Sequence, residues 1–474
     1  MSEHTPSGHR VVGRGIGLVA GPALFIALLF SPVPPELGEV GWRVAAVAAW
    51  MACWWLTEAI PLPATALLPL VAFPLLGVRD LESTAAPYAH PIIFLFLGGF
   101  LIAAAIERCG LHRRFAIAVI GAVGPEPRRL VGGVMLATAF LSMWVSNTAT
   151  AVIMLPLGLS LVRGAGERSE TMAPAMLLGI AYAANIGGLG TLIGTPPNAF
   201  LAGFLSESYG IEISFVRWMV VGVPVVVVAL PLTWWLLVDR LHRLPSDSFG
   251  GGLEVLASPG PIRYDERIVG AVTVLVCLAW VTRPLLESWV PGLSDAGIAI
   301  GGALLLLALP LGLRPLRFAL SWKDAESLPW GVLLLFGGGL SLAAAIQESG
   351  LAGWIGSRLE GLGALPSPLL IGAVVLLMVF LTELTSNTAT AAAFLPVVAA
   401  LAVAIGGSPL TLAVPAALAA SCAFMLPVAT PPNAVVYGSG RIELSQMMRA
   451  GLRLNLMMTL LLTAVALLLA PRLG

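Results

Sequence analysis

The sequence is short of charge. Only 11% of its 474 residues are Asp, Glu, Lys or Arg, against about 25% in an ordinary soluble domain, which argues against a soluble globular chain. Lysine is almost missing: Lys323 stands alone, and the formal net charge is zero. No basic face exists that could bind the phosphates of a nucleic acid. Cysteine is scarce as well. Cys53, Cys109, Cys277 and Cys422 are scattered without a CxxC, and His4 and His9 take two of the five histidines into the first nine residues. That spacing argues against a disulfide framework, a zinc site and an iron–sulfur cluster. The apolar segments hold no nucleophile beside a base and no paired carboxylates, so the chain does not read as an enzyme.

What is there is apolar sequence, 58% of the chain, in stretches that recur from Gly15 to Leu473. Stretches of this length belong in lipid, so the expected fold is an all-α polytopic membrane protein. The polar, basic N-terminus has no small-residue cleavage site after the first apolar run, and that run reads as an uncleaved span. Single crossings are expected near Ile16–Phe30, Trp42–Thr57, Leu62–Val78, Pro91–Glu107, Ile213–Val238, Ile268–Leu286, Ala296–Leu313, Trp330–Gln347 and Leu452–Leu469.

Four segments break the pattern. Leu130–Val162 carries no charge, and one helix of that length would reach ~48 Å, beyond a ~30 Å hydrocarbon core. It is expected to turn back as a hairpin over 130–163 with its tip at Ser146-Asn147-Thr148-Ala149-Thr150, because backbone leaving a helix at membrane depth needs polar company. A second hairpin over 367–403 has its tip at Ser386-Asn387-Thr388-Ala389-Thr390. The segments 172–206 and 409–438 are each interrupted by a proline pair, in Gly194-Thr195-Pro196-Pro197-Asn198 and Ala429-Thr430-Pro431-Pro432-Asn433. Two adjacent prolines remove two donors and clash with the preceding turn, so each segment is expected to be a broken helix. With these two, the count is about 11 transmembrane helices plus two re-entrant hairpins.

These features are duplicated. Gly98, Ala103-Ala104-Ala105-Ile106 and Gly110-Leu111 recur 240 positions later as Gly338, Ala343-Ala344-Ala345-Ile346 and Gly350-Leu351, and SNTAT recurs at the same offset. The Thr-Pro-Pro-Asn run recurs at 235. Five crossings separate the two hairpins, and an odd number turns the second copy upside down, which is the inverted repeat of secondary transporters. Arg108, Arg113, Arg114, Arg128, Arg129, Arg163, Arg240, Arg243, Arg263, Arg267, Arg314, Arg317, Lys323, Arg441, Arg449 and Arg453 fall on one side, while 32–41 and 206–212 are poor in cations. The positive-inside rule then places the N-terminus in the cytoplasm, opens the first hairpin inward and opens the second outward.

The tips and breaks supply hydroxyls, carboxamides, freed carbonyls and helix N-termini, and Glu383 is the one charged residue in 130–162, 172–205, 368–403 and 410–437. Such oxygens suit hard cations, and helix N-termini with hydroxyl and amide donors suit anions. An anion held without a protein cation needs another positive charge, which bound cations would supply. Cation-coupled anion transport is the expectation, and the residues alone do not name the cation. Isolated Ser, Thr and Asn in lipid are commonly only interhelical hydrogen-bond partners, and inverted broken helices can also line a channel. Two symmetry-related copies at two tips favour alternating access.

The run Trp54-Trp55-Leu56-Thr57-Glu58-Ala59-Ile60-Pro61-Leu62-Pro63-Ala64-Thr65, both SNT motifs and both TPPN breaks resemble the divalent anion:sodium symporter family, including INDY-type bacterial sodium/dicarboxylate symporters and animal sodium/carboxylate cotransporters. The resemblance implies sodium-coupled import of C4 dicarboxylates such as succinate, fumarate or malate by a homodimer in the cell's inner membrane. Sulfate, citrate and sodium-independent exchange are the alternatives it leaves. It implies an elevator, with a cytoplasmic tail over 1–15, scaffold parts over 16–110 and 264–348, and transport parts over 111–240 and 349–474. By the same resemblance one sodium site uses Ser142, Ser146, Asn147 and the Gly194 backbone, and the other uses Thr382, Ser386, Asn387 and the Ala429 backbone. Asn147, Thr148, Thr195, Asn387, Thr388, Thr430 and Pro431 would hold the substrate. Glu383 breaks the symmetry, since its counterpart is Met143.

Overall fold

The computed structural model describes residues 8–245, 260–313 and 316–468. Most of the proposed tail, Arg314 and the last residue of the predicted span ending at Leu469 lie outside them. The order is α1 Gly8–Leu29, α2 Gly38–Thr57, α3 Leu62–Thr65, α4 Leu68–Leu75, α5 Leu81–Ala85, α6 Pro91–Cys109, α7 Leu111–Val123, α8 Pro127–Ser142, α9 Asn147–Gly164, α10 Ser169–Gly188, α11 Pro196–Tyr209 and α12 Phe215–Trp235, the last running on as a short π-helical stretch. The second half has α13 Tyr264–Leu286, α14 Asp295–Ala308, β1 Pro310–Leu313, β2 Leu316–Phe318, α15 Trp322–Glu326, α16 Trp330–Glu348, α17 Leu351–Leu359, α18 Ser367–Thr382, α19 Asn387–Ala404, α20 Leu410–Ala420, α21 Pro431–Tyr437 and α22 Leu444–Leu468.

Both hairpins are present as helix pairs turning at 143–146 and 383–386, and both proline pairs open a new helix after a non-helical break. Proline at the first helical position has no donor to lose and a preset φ, so each pair starts a helix that it could not have continued. Among the described residues, six helices are long and apolar enough to cross a membrane. The fold is a mostly helical membrane protein.

Two expected spans come out differently. Leu62–Val78 is two short helices, because Pro63, Pro69 and Pro74 interrupt the backbone ladder. Ala296–Leu313 ends as a helix at Ala308, and the chain then forms the antiparallel pair of β1 and β2, a small departure from an all-α chain. Helices α7 and α17 were in no expected span; each follows a left-handed glycine, Gly110 or Gly350, which turns the chain at the end of α6 or α16.

The repeats interlock. α11 packs on α19 and α21 packs on α9, so each half-helix after a break lies against the other repeat's hairpin. Close approach is allowed by glycine at matched places. A Cβ on Gly222 of α12 would sit 2.4 Å from the Leu189 carbonyl, and one on Gly451 of α22 would sit 2.3 Å from that of Phe424.

Charge gathers at two ends. At one, Arg108 pairs with Asp324 at 2.6 Å, Arg114 with Glu266 at 2.9 Å, and Arg128 with Asp239. Burial would raise the Asp324 carboxyl, but hydrogen bonds from Ser321 and the Arg108 guanidinium hold it below the usual carboxylate range. At the other end Arg358 pairs with Glu36 at 2.7 Å and Arg79 with Glu348 at 3.1 Å. The first end collects cations that the positive-inside reading puts in the cytoplasm.

Candidate functional site

The first hairpin's tip faces the first break. Ser142 closes α8, is fully buried, and its hydroxyl lies 2.6 Å from the Asn147 carboxamide and donates to the Ala184 carbonyl at 2.7 Å. The carboxamide oxygen also lies 3.1 Å from the Gly194 carbonyl and 3.2 Å from that of Ala184. Four oxygens facing one another repel unless the amide turns its nitrogen inward or a cation lies among them. The donor set of hydroxyl, carboxamide and carbonyls fits a hard monovalent cation. Ser146 caps α9, accepting the Ala149 N–H at 3.2 Å.

The second hairpin repeats this with new residues. Thr382 is fully buried, and its hydroxyl lies 2.8 Å from Asn387 Oδ1 and 2.7 Å from the Ala420 carbonyl, with one proton to donate between them. Ser386 caps α19 without a side-chain bond, and Ala429 ends the second break with its N–H on Leu426. The sequence-expected pairs Ser142 with Asn147 and Thr382 with Asn387 are therefore brought together, and the Gly194 backbone joins the first. Ala429 makes no hydrogen bond to Thr382 or Asn387 among the described residues.

Hydroxyls from the breaks cross between repeats. Thr430 accepts from the Asn185 amide at 3.1 Å, and Thr195 lies 3.3 Å from the Ser421 hydroxyl. Each break's threonine thus meets a polar side chain that precedes the other break. Asn198 and Asn433 tie their own breaks shut, donating to the Gly188 and Thr191 carbonyls at 3.0 and 2.8 Å and to those of Ala423 and Leu426 at 3.2 and 3.0 Å. Sequence reasoning missed Asn185 and Ser421. The available signal was a lone carboxamide in the otherwise apolar 172–188.

The two tips differ in exposure. Thr148 and Pro431 are exposed, Thr388 is 8% exposed and Thr195 and Thr430 are buried. Trp144 of the first tip stacks with Trp280 of α13 at a centroid distance of 6.4 Å, and Phe215 stacks on Trp280 at 4.2 Å. Its counterpart Leu384 at the second tip is 74% exposed. Trp144 is thus seated on α13, whereas Leu384 is left uncovered.

The arrangement can hold cations in two matched oxygen clusters and an anion between hydroxyls and helix N-termini. The family model for the sodium:sulfate symporter transmembrane region matches residues 14–473. The sodium-dependent dicarboxylate transporter SdcS of Staphylococcus saprophyticus is 44% identical over 97% of this chain and 92% of that protein. SdcS of Staphylococcus aureus is 43% identical over 96% and 90%. The crystal structure of the Alcanivorax borkumensis YdaH transporter superposes with a TM-score of 0.62 at 16% identity, covering 89% of this chain and 98% of that one, a likeness of fold. On the match to nearly its whole length, the chain belongs to the sodium:sulfate symporter transmembrane family, which is a family of transporters and not of enzymes.

Proposed function

We propose that this protein imports C4 dicarboxylates such as succinate, fumarate and malate by sodium symport. The observation that carries the reading is the pair of matched oxygen clusters, Ser142 with Asn147 and Thr382 with Asn387, whose hydroxyl and amide groups bond to no Arg, Lys or His side chain among the described residues. The relatives' names support sodium as coupling ion and dicarboxylate as cargo. A dianion in a low-dielectric site needs about two monovalent cations to offset it; two clusters provide for both.

In this account Ser142, Ser146, Asn147 and the Gly194 carbonyl hold one sodium, and Thr382, Ser386, Asn387 and the Ala429 carbonyl hold the other. Thr148 and Thr388 donate to the substrate carboxylates, with Asn147, Asn387, Thr195, Thr430 and Pro431 around them. Eleven crossings and two re-entrant hairpins span the inner membrane from a cytoplasmic N-terminus. Residues 16–110 and 264–348 form a scaffold that also makes the homodimer, and 111–240 and 349–474 form the unit that moves as an elevator in the lipid bilayer. Movement requires Trp144 to leave Trp280, since the two lie on opposite sides of that boundary.

The test is labelled succinate uptake into proteoliposomes under an inward sodium gradient, with unlabelled competitors. Fumarate and malate are expected to compete at concentrations similar to succinate. Stronger competition by sulfate or citrate than by any C4 dicarboxylate would overturn the substrate assignment.

A further inference from the structure

The two hairpin tips, 143–150 and 383–390, differ at one charged position. Glu383 directly follows α18 and is 3% exposed, while its counterpart Met143 is apolar. The Met143 side chain lies against Gly190 of the first break, where an added Cβ would meet it at 2.8 Å. Glu383 reaches the matching loop with its carboxylate instead. Its Oε1 accepts the N–H groups of Phe424 and Met425 at 2.6 and 2.8 Å, and its Oε2 accepts that of Leu426 at 3.1 Å. Asn455 of α22 adds an amide donor at 2.8 Å.

In the first repeat the same donors serve the helix. The N–H groups of Leu189 and Gly190, counterparts of Phe424 and Met425, return to the carbonyls of Ile186 and Gly187 at 3.1 and 2.9 Å, and α10 runs through Gly188. α20 stops at Ala420, whose carbonyl faces Thr382 as that of Ala184 faces Ser142. The carboxylate has taken donors that helical turns would use, and the second break is wider by about one turn as a result.

We infer that Glu383 is a positioning residue for the second cation site, which it holds open and makes more negative than the first. Successive N–H groups converging on a carboxylate form charge-assisted bonds about twice as strong as neutral ones. A buried carboxylate is tolerated only when so satisfied, so loop and side chain fix each other. The fixed loop leads into Ala429 and Thr430. The charge follows Thr382 in sequence, in apolar surroundings where Coulomb attraction is weakly screened. The first site has Met143 there and no such charge. The two cation sites are therefore unequal, and the second fills at lower sodium. This inference rests on the sodium-symport reading.

The experiment measures half-saturating sodium for succinate uptake in proteoliposomes and sodium binding to the purified full chain without succinate. Glu383→Gln should raise both by roughly tenfold or more, since a bond to a charged group is lost. Combined with Thr382→Ala its effect should be less than multiplicative, and combined with Ser142→Ala it should be multiplicative. A change that merely loosens the fold would combine alike with both. Asn455→Ala removes one donor and keeps the charge; it gives the same pattern at smaller size if the glutamine variant does not fold. Equal coupling to both sites, or wild-type titrations of Glu383→Gln beside a sodium-dependent wild type, overturns this inference alone. A wild type indifferent to sodium overturns the symport reading with it.

Discussion

Thr148→Val separates substrate work from cation work within one motif. Thr148 is exposed at the first tip, and its hydroxyl makes no hydrogen bond among the described residues. Valine keeps the shape, and no protein partner is left unsatisfied, so stability should change by at most about 0.5 kcal/mol, as at other exposed positions. The proposed carboxylate, however, loses a hydroxyl donor to a charged acceptor, a loss of about 1.5–3 kcal/mol. At ~1.4 kcal/mol per factor of ten this is a roughly ten- to hundredfold weaker succinate affinity. Ser142→Ala is the contrasting change, because that buried hydroxyl serves Asn147 and the Ala184 carbonyl at 2.6 and 2.7 Å. It should weaken sodium directly and succinate only through coupling. The assay is a pair of calorimetric titrations on each purified variant, sodium alone and succinate at saturating sodium. If Thr148→Val impairs sodium binding as severely as Ser142→Ala, the division of roles is wrong.

Cysteines at Trp144 and Trp280, whose rings lie 6.4 Å apart, should be bridged by a reducible bifunctional thiol reagent and stop uptake, with recovery on reduction; full activity of the cross-linked protein would show that the tip need not leave α13. Glu170→Cys, beyond the first hairpin, should react only with reagent delivered inside, and Gly407→Cys, beyond the second, only with external reagent. Both positions are exposed, and labelling of both from one side refutes the inverted repeat. Gly451→Ala would put a Cβ 2.3 Å from the Phe424 carbonyl, and the overpacking should cost about 1–3 kcal/mol, read as a lower thermal midpoint. An unchanged midpoint would mean that α22 moves away freely. If three sodium ions accompany one dianion, a valinomycin-set inside-negative potential accelerates uptake, and indifference to it indicates an electroneutral cycle.

Much of this site was legible in the sequence because it is built from motifs that occur twice. The paired SNTAT runs placed both tips, and the proline pairs placed both breaks to within a residue of where α11 and α21 begin. Ser142 and Thr382 were legible through the resemblance and then through symmetry. The cross-repeat pairs Asn185 with Thr430 and Thr195 with Ser421 were not, since contact between repeats depends on how they interlock and leaves no local pattern. Glu383 was visible as a charge but not as a clasp, because its acceptors' partners are backbone N–H groups more than 40 residues away. α7 and α17 escaped because a search for spans passes over short helices that follow a glycine turn.

The central claim is coupling of dicarboxylate entry to sodium. Its most direct measurement is initial-rate uptake of labelled succinate into proteoliposomes at clamped zero potential, with an inward sodium gradient in one set and potassium replacing sodium on both sides in the other. The account predicts accumulation above the external concentration with the sodium gradient and no accumulation in potassium. Equal uptake in the two sets would contradict it.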